Sequence, residues 1–199
     1  MRGKMNWVLH GMLGIALLAA SCGSAEKAAT DAAVSAAQSA INAAQGEAAK
    51  YVPDQLKAAQ GAIQIANDAV AKGDYRGALT AAKDAIEKAK DLGTAAVSKK
   101  EELTRNWTSF SDSAQKSLDA AKAKLDAYSH GAKMPAGLDK TKLAEAKAQY
   151  VQLKKGLAEA ATAFKQGNIK EAATKAASLK GGLARLMELL KIKLSGSGN

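Results

Sequence analysis

Hydrophobic positions along this chain fall into runs with alternating spacings of three and four, the trace that one face of an α-helix leaves in a sequence. Val34, Ala37, Ile41, Ala44, Ala48 and Tyr51 make the first run and predict a helix over about 26–50. It stops before Pro53, because the residue preceding a proline is biased out of helical dihedrals. Leu56, Ala59, Ile63, Ala66 and Val70 predict a second helix over about 54–72. Gly73 then supplies a left-handed C-terminal cap and Asp74 an N-terminal cap for the next helix, so a tight helical hairpin is expected.

The third run starts at Tyr75 and continues far longer than the others. Leu79, Ala82, Ile86, Ala89 and Leu92 lead into Ala96, Leu103, Trp107, Phe110, Leu118, Leu125 and Tyr128, with only Lys100 out of place. A glycine inside a helix costs about 1 kcal/mol, which does not by itself end a helix at Gly93. The alternatives are one helix over 75–129, about 80 Å at 1.5 Å per residue, or a break near Gly93 or around 106–111. A long helix, kinked or not, is the expectation. Residues 130–137, with Gly131, Pro135 and Gly137, read as a loop, and Asp139 as the cap of a helix carrying Leu143, Tyr150, Leu153, Leu157 and Phe164. Gly167 and Asn168 separate it from a last helix striped by Ile169, Ala172, Ala176, Leu183, Leu186 and Leu190. The fold class is therefore all-α: elongated antiparallel helical hairpins, about five or six helices, over 26–129 and a second hairpin over 139–194, then a flexible tail over 195–199.

Counting back from Gly73 and Gly167 aligns the two hairpins: Val70 with Phe164, Ala66 with Ala160, Ile63 with Leu157, Ala59 with Leu153 and Leu56 with Tyr150. Downstream, Ala78 aligns with Ala172 and Ala82 with Ala176. Two related hairpins are expected, each with a preceding helix packed on it. The segment from Val70 to Leu79, with Gly73, Asp74, Tyr75 and Ala78, resembles the turn between paired helices of tetratricopeptide repeats, without their tryptophan or 34-residue period. Together with Pro53, Leu56 and Ala59, it also resembles an uncharacterised alanine-rich family of bacterial envelope proteins, over about residues 28–92. Neither resemblance implies a particular ligand.

The N-terminus has a different pattern. Arg2 and Lys4 precede an apolar stretch from Trp7 to Ala20, and small residues lead into Cys22, the one cysteine of 199 residues. This is the layout of a secretory signal, and at 14 residues the apolar stretch is shorter than the roughly 20 that span a bilayer as a helix. Ala19-Ala20-Ser21-Cys22 resembles the lipobox of bacterial lipoprotein precursors, with Leu18 one place before the position that family favours for leucine. The resemblance implies cleavage after residue 21, a lipidated tether over 22–25, and Cys22 carrying a diacylglycerol thioether and a further palmitate-like acyl chain on its amine. Two or more chains hold a protein stably to a bilayer where one does not. By the same resemblance, Gly23 stands where some of these lipoproteins carry an aspartate that retains them in the inner membrane, which favours the outer membrane over the inner, on the periplasmic side of the envelope.

Composition changes the picture in two respects. Alanine is the commonest residue and only seven aromatics lie beyond Trp7, so helices form readily while each contact contributes little apolar area. The formal net charge of +10 is also uneven: residues 22–138 carry a net +1 and residues 139–199 a net +7. The basic side chains of the second hairpin lie off its apolar stripe. Lys154, Lys155, Lys165, Lys170 and Lys175 form a candidate basic face for anionic lipid, an anionic polymer or an acidic protein surface, or serve to solubilise an alanine-rich helix. Nucleic acid is not an expected partner in that compartment.

Candidate chemistry is sparse. His130 is the one histidine beyond the signal, and without a second histidine or another cysteine there are too few nitrogen or sulfur ligands for a transition-metal site. Glu101 and Glu102 sit beside Lys99 and Lys100, as on a solvated helix face, and Ser109, Ser111 and Ser113 have no base nearby in sequence. No phosphate-loop or nucleophile-elbow pattern occurs. The expectation is a protein without catalytic activity, cofactor or metal. It would be anchored through Cys22 and work as a scaffold or adaptor for another envelope component or a second copy of itself, or alternatively as a binding module for anionic envelope lipid or polymer.

Overall fold

The structure is a computed structural model that describes residues 24–192, in five α-helices with no strand among the described residues. They are α1 (Ser24–Tyr51), α2 (Pro53–Ala71), α3 (Tyr75–Ser129), α4 (Lys140–Lys165) and α5 (Ile169–Leu189). The expected signal over 1–21, Cys22 and the tail over 195–199 lie outside the described residues. The tether is shorter than expected, since Ser24 and Ala25 already belong to α1, and the last helix ends at Leu189 rather than 194.

The question left open at Gly93 is resolved as one continuous helix of 55 residues. Leu92 and Ala96 are both buried to 1% exposure on either side of that glycine, so packing across it outweighs the roughly 1 kcal/mol of lost propensity. This long helix is shared by two three-helix units. In the first, Ile41 of α1, Leu56 and Ile63 of α2 and Leu92 of α3 enclose a set of alanines. In the second, Trp107, Leu118 and Leu125 of α3 pack with Leu153 and Leu157 of α4 and Leu183 and Leu186 of α5.

Chain direction follows from side-chain contacts. Thr30, the one buried polar residue among the described residues, places its hydroxyl 2.8 Å from the Glu26 carbonyl and 3.2 Å from that of Tyr75, joining the starts of α1 and α3. Lys100 Nζ lies 3.1 Å from Glu47 Oε2, so α1 runs parallel to the first part of α3. Ile169 packs with Ala96, and Lys180 Nζ stands 5.9 Å above the Phe110 ring, so α5 runs parallel to the second part. Helices α2 and α4 run back against them. The end of α1 therefore meets the start of α5 at a junction of Tyr51, Ala96 and Ile169, bordered by Leu103 and Phe164.

The repeat inferred from sequence takes physical form at the two turns. At Gly73 (φ 78°) the Asp74 amide donates to the Ala69 carbonyl at 2.9 Å and the Gly73 amide to Val70 at 3.0 Å. At Gly167 (φ 81°) the Asn168 amide donates to Ala163 and the Gly167 amide to Phe164, both at 2.9 Å. These paired bonds satisfy orphan carbonyls of the helix end and require a left-handed residue, which glycine supplies. The aligned pairs Ala66 and Ala160, Ile63 and Leu157, Ala59 and Leu153, Ala78 and Ala172, and Ala82 and Ala176 are all buried. Val70 and Phe164 are both half-buried, while Tyr150 is more exposed than its counterpart Leu56.

Caps differ between the turns. The Asp74 carboxylate accepts from the Gly77 amide at 2.9 Å and that of Asp139 from the Lys142 amide at 2.8 Å, whereas the Asn168 side chain makes no capping bond. Replacing Asp74 with alanine is expected to lower stability by about 1 kcal/mol, read by urea denaturation, with Asn168→Ala closer to neutral.

Candidate functional site

The basic hairpin is held closely. Gln149 Nε2 donates to the Gly182 carbonyl at 3.0 Å, and a Cβ added at Gly156 or Gly182 would meet the side chain of Leu179 at 2.7 Å or Leu153 at 2.8 Å. Small residues at these positions let α4 and α5 approach until leucine tips fill the glycine notches.

That register sorts the five candidate lysines. Lys175 is spent inside the protein: Nζ lies 3.5 Å from Glu159 of α4 and 3.7 Å from Glu171 of its own helix, with its side chain 35% exposed. Lys170 is exposed in the first turn of α5. Lys154, Lys155 and Lys165 are exposed on α4 and have no carboxylate within ion-pair distance among the described residues. The five therefore do not form one patch. At 3.6 residues per turn, Lys154 and Lys165 fall within about 20° of each other around α4, while Lys155 stands about 100° from Lys154.

A line not singled out in the sequence reading emerges from the same arithmetic. Lys140, Lys147, Lys154 and Lys165 share one edge of α4 within about 40°, all exposed, over a length of roughly 37 Å. The acidic residues of α4, Glu145 and Glu159, stand about 100° or more round the helix from Lys140. The signal was present as spacings of seven, seven and eleven, but a basic count does not reveal which lysines a neighbouring helix neutralises. Lys140 follows the capping carboxylate of Asp139, and Lys147 faces an acidic side chain of another helix. The Asp126 carboxyl of α3 lies below its ordinary range, first through the hydrogen bond from Lys122 at 2.6 Å and further through the charges of His130 and Lys147.

Other candidates stay dispersed. His130 is exposed, its Nδ1 2.7 Å from the Asp126 carbonyl at the end of α3, and Ser113 donates to the Phe110 carbonyl. A shallow groove of about 410 Å³ between α1 and α2 is lined by Asp31, Val34, Gln38, Ser39, Asn67 and Val70. The large exposed apolar side chains, Ile65, Val97 and Val151, sit on three different helices. Among the described residues there is no group of three or more His, Cys, Asp or Glu side chains placed to hold a metal ion, and no helix long and apolar enough to cross a membrane. Comparison with protein-family models, with curated proteins and with solved structures finds no match to this chain.

Proposed function

We propose that this chain is a non-catalytic lipoprotein of a bacterial cell envelope, anchored through Cys22 and acting as a helical scaffold or adaptor for another envelope component. The observation that supports this reading best is the shared helix α3, which sets two three-helix units end to end behind a sequence with the layout of a lipoprotein signal. Such an arrangement holds one end of the molecule at a distance from the other and offers long helical faces for contact. The lipobox-like segment supports a bacterial envelope, and Gly23 in place of aspartate favours the outer over the inner membrane as the anchoring bilayer.

Metabolic labelling with a palmitate analogue tests the anchor. The native chain is expected to be labelled and to fractionate with membranes, and Cys22→Ala to lose both properties. A native chain that stays unlabelled and soluble rejects the anchor. Crosslinking in intact cells tests the scaffold, which fails if no envelope protein or second copy is repeatedly recovered.

A second reading is favoured by the unpaired lysines of α4: a binding module for anionic envelope lipid or polymer. Charge reversal at Lys154, Lys155 and Lys165 discriminates. It is expected to abolish binding to anionic surfaces under this reading and to leave protein partnering unchanged under the first.

A further inference from the structure

We propose that the lysine edge of α4 engages an extended anionic polymer held well away from the anchoring bilayer, and not the bilayer itself. The distance part of this inference rests on the anchored reading above; the lysine edge stands on its own geometry.

Three observations lead to it. Only Gly23 separates Cys22 from the start of α1 at Ser24, so a lipid on Cys22 would hold that end of the molecule close to the membrane. Thr30 ties this end of α1 to the first residue of α3, and α3 then runs unbroken for about 80 Å. Ala96, at the junction, lies roughly 30 Å along that helix, so the second unit begins there and extends away. The charge is divided in the same way, with a net −1 over residues 22–96 and +9 over 97–199. A molecule that lay flat on an anionic bilayer would gain little from its first unit.

The edge itself suits a linear partner. Lys140, Lys147 and Lys154 recur at a pitch of about 10 Å and Lys165 continues the line, giving a straight row of cations on one rigid helix. Rows of this kind gain affinity by releasing counterions from a polyanion, so binding weakens steeply with salt. Lys175 is excluded by its two carboxylate partners and Lys170 by its place on the other helix.

The test has two arms. In the first, full-length chain is titrated with inorganic polyphosphate. Changing Lys140, Lys147, Lys154 and Lys165 together to glutamine is expected to weaken binding at least tenfold and flatten its salt dependence, with an unchanged helical circular-dichroism spectrum. The matched control on the first unit, Lys57, Lys72, Lys83 and Lys90 to glutamine, removes the same charge and is expected to change affinity less than twofold. Equal losses in both variants, or no polyphosphate binding by the native chain, overturn the lysine edge.

In the second arm, the lipidated protein is placed on phosphatidylglycerol-containing vesicles with a donor dye at Lys72→Cys or Lys133→Cys and acceptors in the bilayer. Energy transfer is expected to be strong from position 72 and weak from position 133. Strong transfer from both positions would lay the molecule on the membrane and overturn the proposal in favour of a lipid partner. Failure to join vesicles at all overturns the anchored reading and the distance inference, while the polyphosphate arm still decides the lysine edge.

Discussion

Trp107→Ala is expected to destabilise this protein by about 3–5 kcal/mol, the range for emptying a buried large aromatic site. Trp107 is 4% exposed, its ring stacks on Phe164 at 5.6 Å and 27°, and it lies 6.3 Å from Phe110 in a tilted arrangement. The core around it also holds Ala114, Ala121 and Ala160, side chains too short to collapse into the space a tryptophan leaves. The aromatic cluster also borders the junction, where Phe164 packs with Tyr51 of the first unit and Ile169 of the second. A urea titration followed by circular dichroism should show a midpoint lower by at least about 1 M, given slopes of about 1–3 kcal/mol per M. Hydrogen exchange should show protection falling first in α4 and α5. A midpoint shift smaller than about 0.5 M would mean that the alanine layers, and not the aromatic cluster, carry the second unit.

The same cluster shows why some features were readable in the sequence and others were not. Stripe positions such as Ile41, Ile63, Leu118 and Leu186 are buried as expected, because spacing of three and four is a local property of one helix. The capped turns at Asp74 and Asp139 were readable for the same reason, since their bonds close within three residues. What sequence pattern left open was long-range. The continuity of α3 past Gly93 depends on what covers Leu92 and Ala96, and those partners lie far away in the chain. Leu138, which falls between the loop over 130–137 and the cap at Asp139 and belongs to no stripe, packs into the second core, and the buried Thr30 hydroxyl ties α1 to the start of α3 in a way that no apolar pattern announces. The candidate site divides along the same line. A net charge of +7 was visible as a count, whereas the neutralisation of Lys175 by Glu159 requires the register between α4 and α5. That register is set partly by the notches at Gly156 and Gly182, which have no periodic signature.

Glycines also give the largest stabilising change expected. Gly46, Gly61 and Gly93 lie exposed within α1, α2 and α3, outside the glycines with positive φ, and a Cβ built on any of them meets nothing within 4 Å. Each therefore carries the propensity cost of a helical glycine, about 0.8–1 kcal/mol relative to alanine, with no turn or close approach that needs it. The three sites sit on different helices, and separated sites without shared partners add nearly independently. Changing all three to alanine is expected to raise stability by about 2–3 kcal/mol, or Tm by roughly 5–10 °C for a chain of this size. Gly156→Ala and Gly182→Ala provide the internal contrast. Their added methyl groups would press on Leu179 and Leu153 between α4 and α5, so the propensity gain is offset by packing and Tm should rise little or fall. Calorimetry on both variants separates the two kinds of glycine. If the triple variant gains less than about 2 °C, then helix propensity does not limit the first unit. The cost of an alanine core would then lie in its packing, and the stability of this fold would depend mainly on its few large side chains.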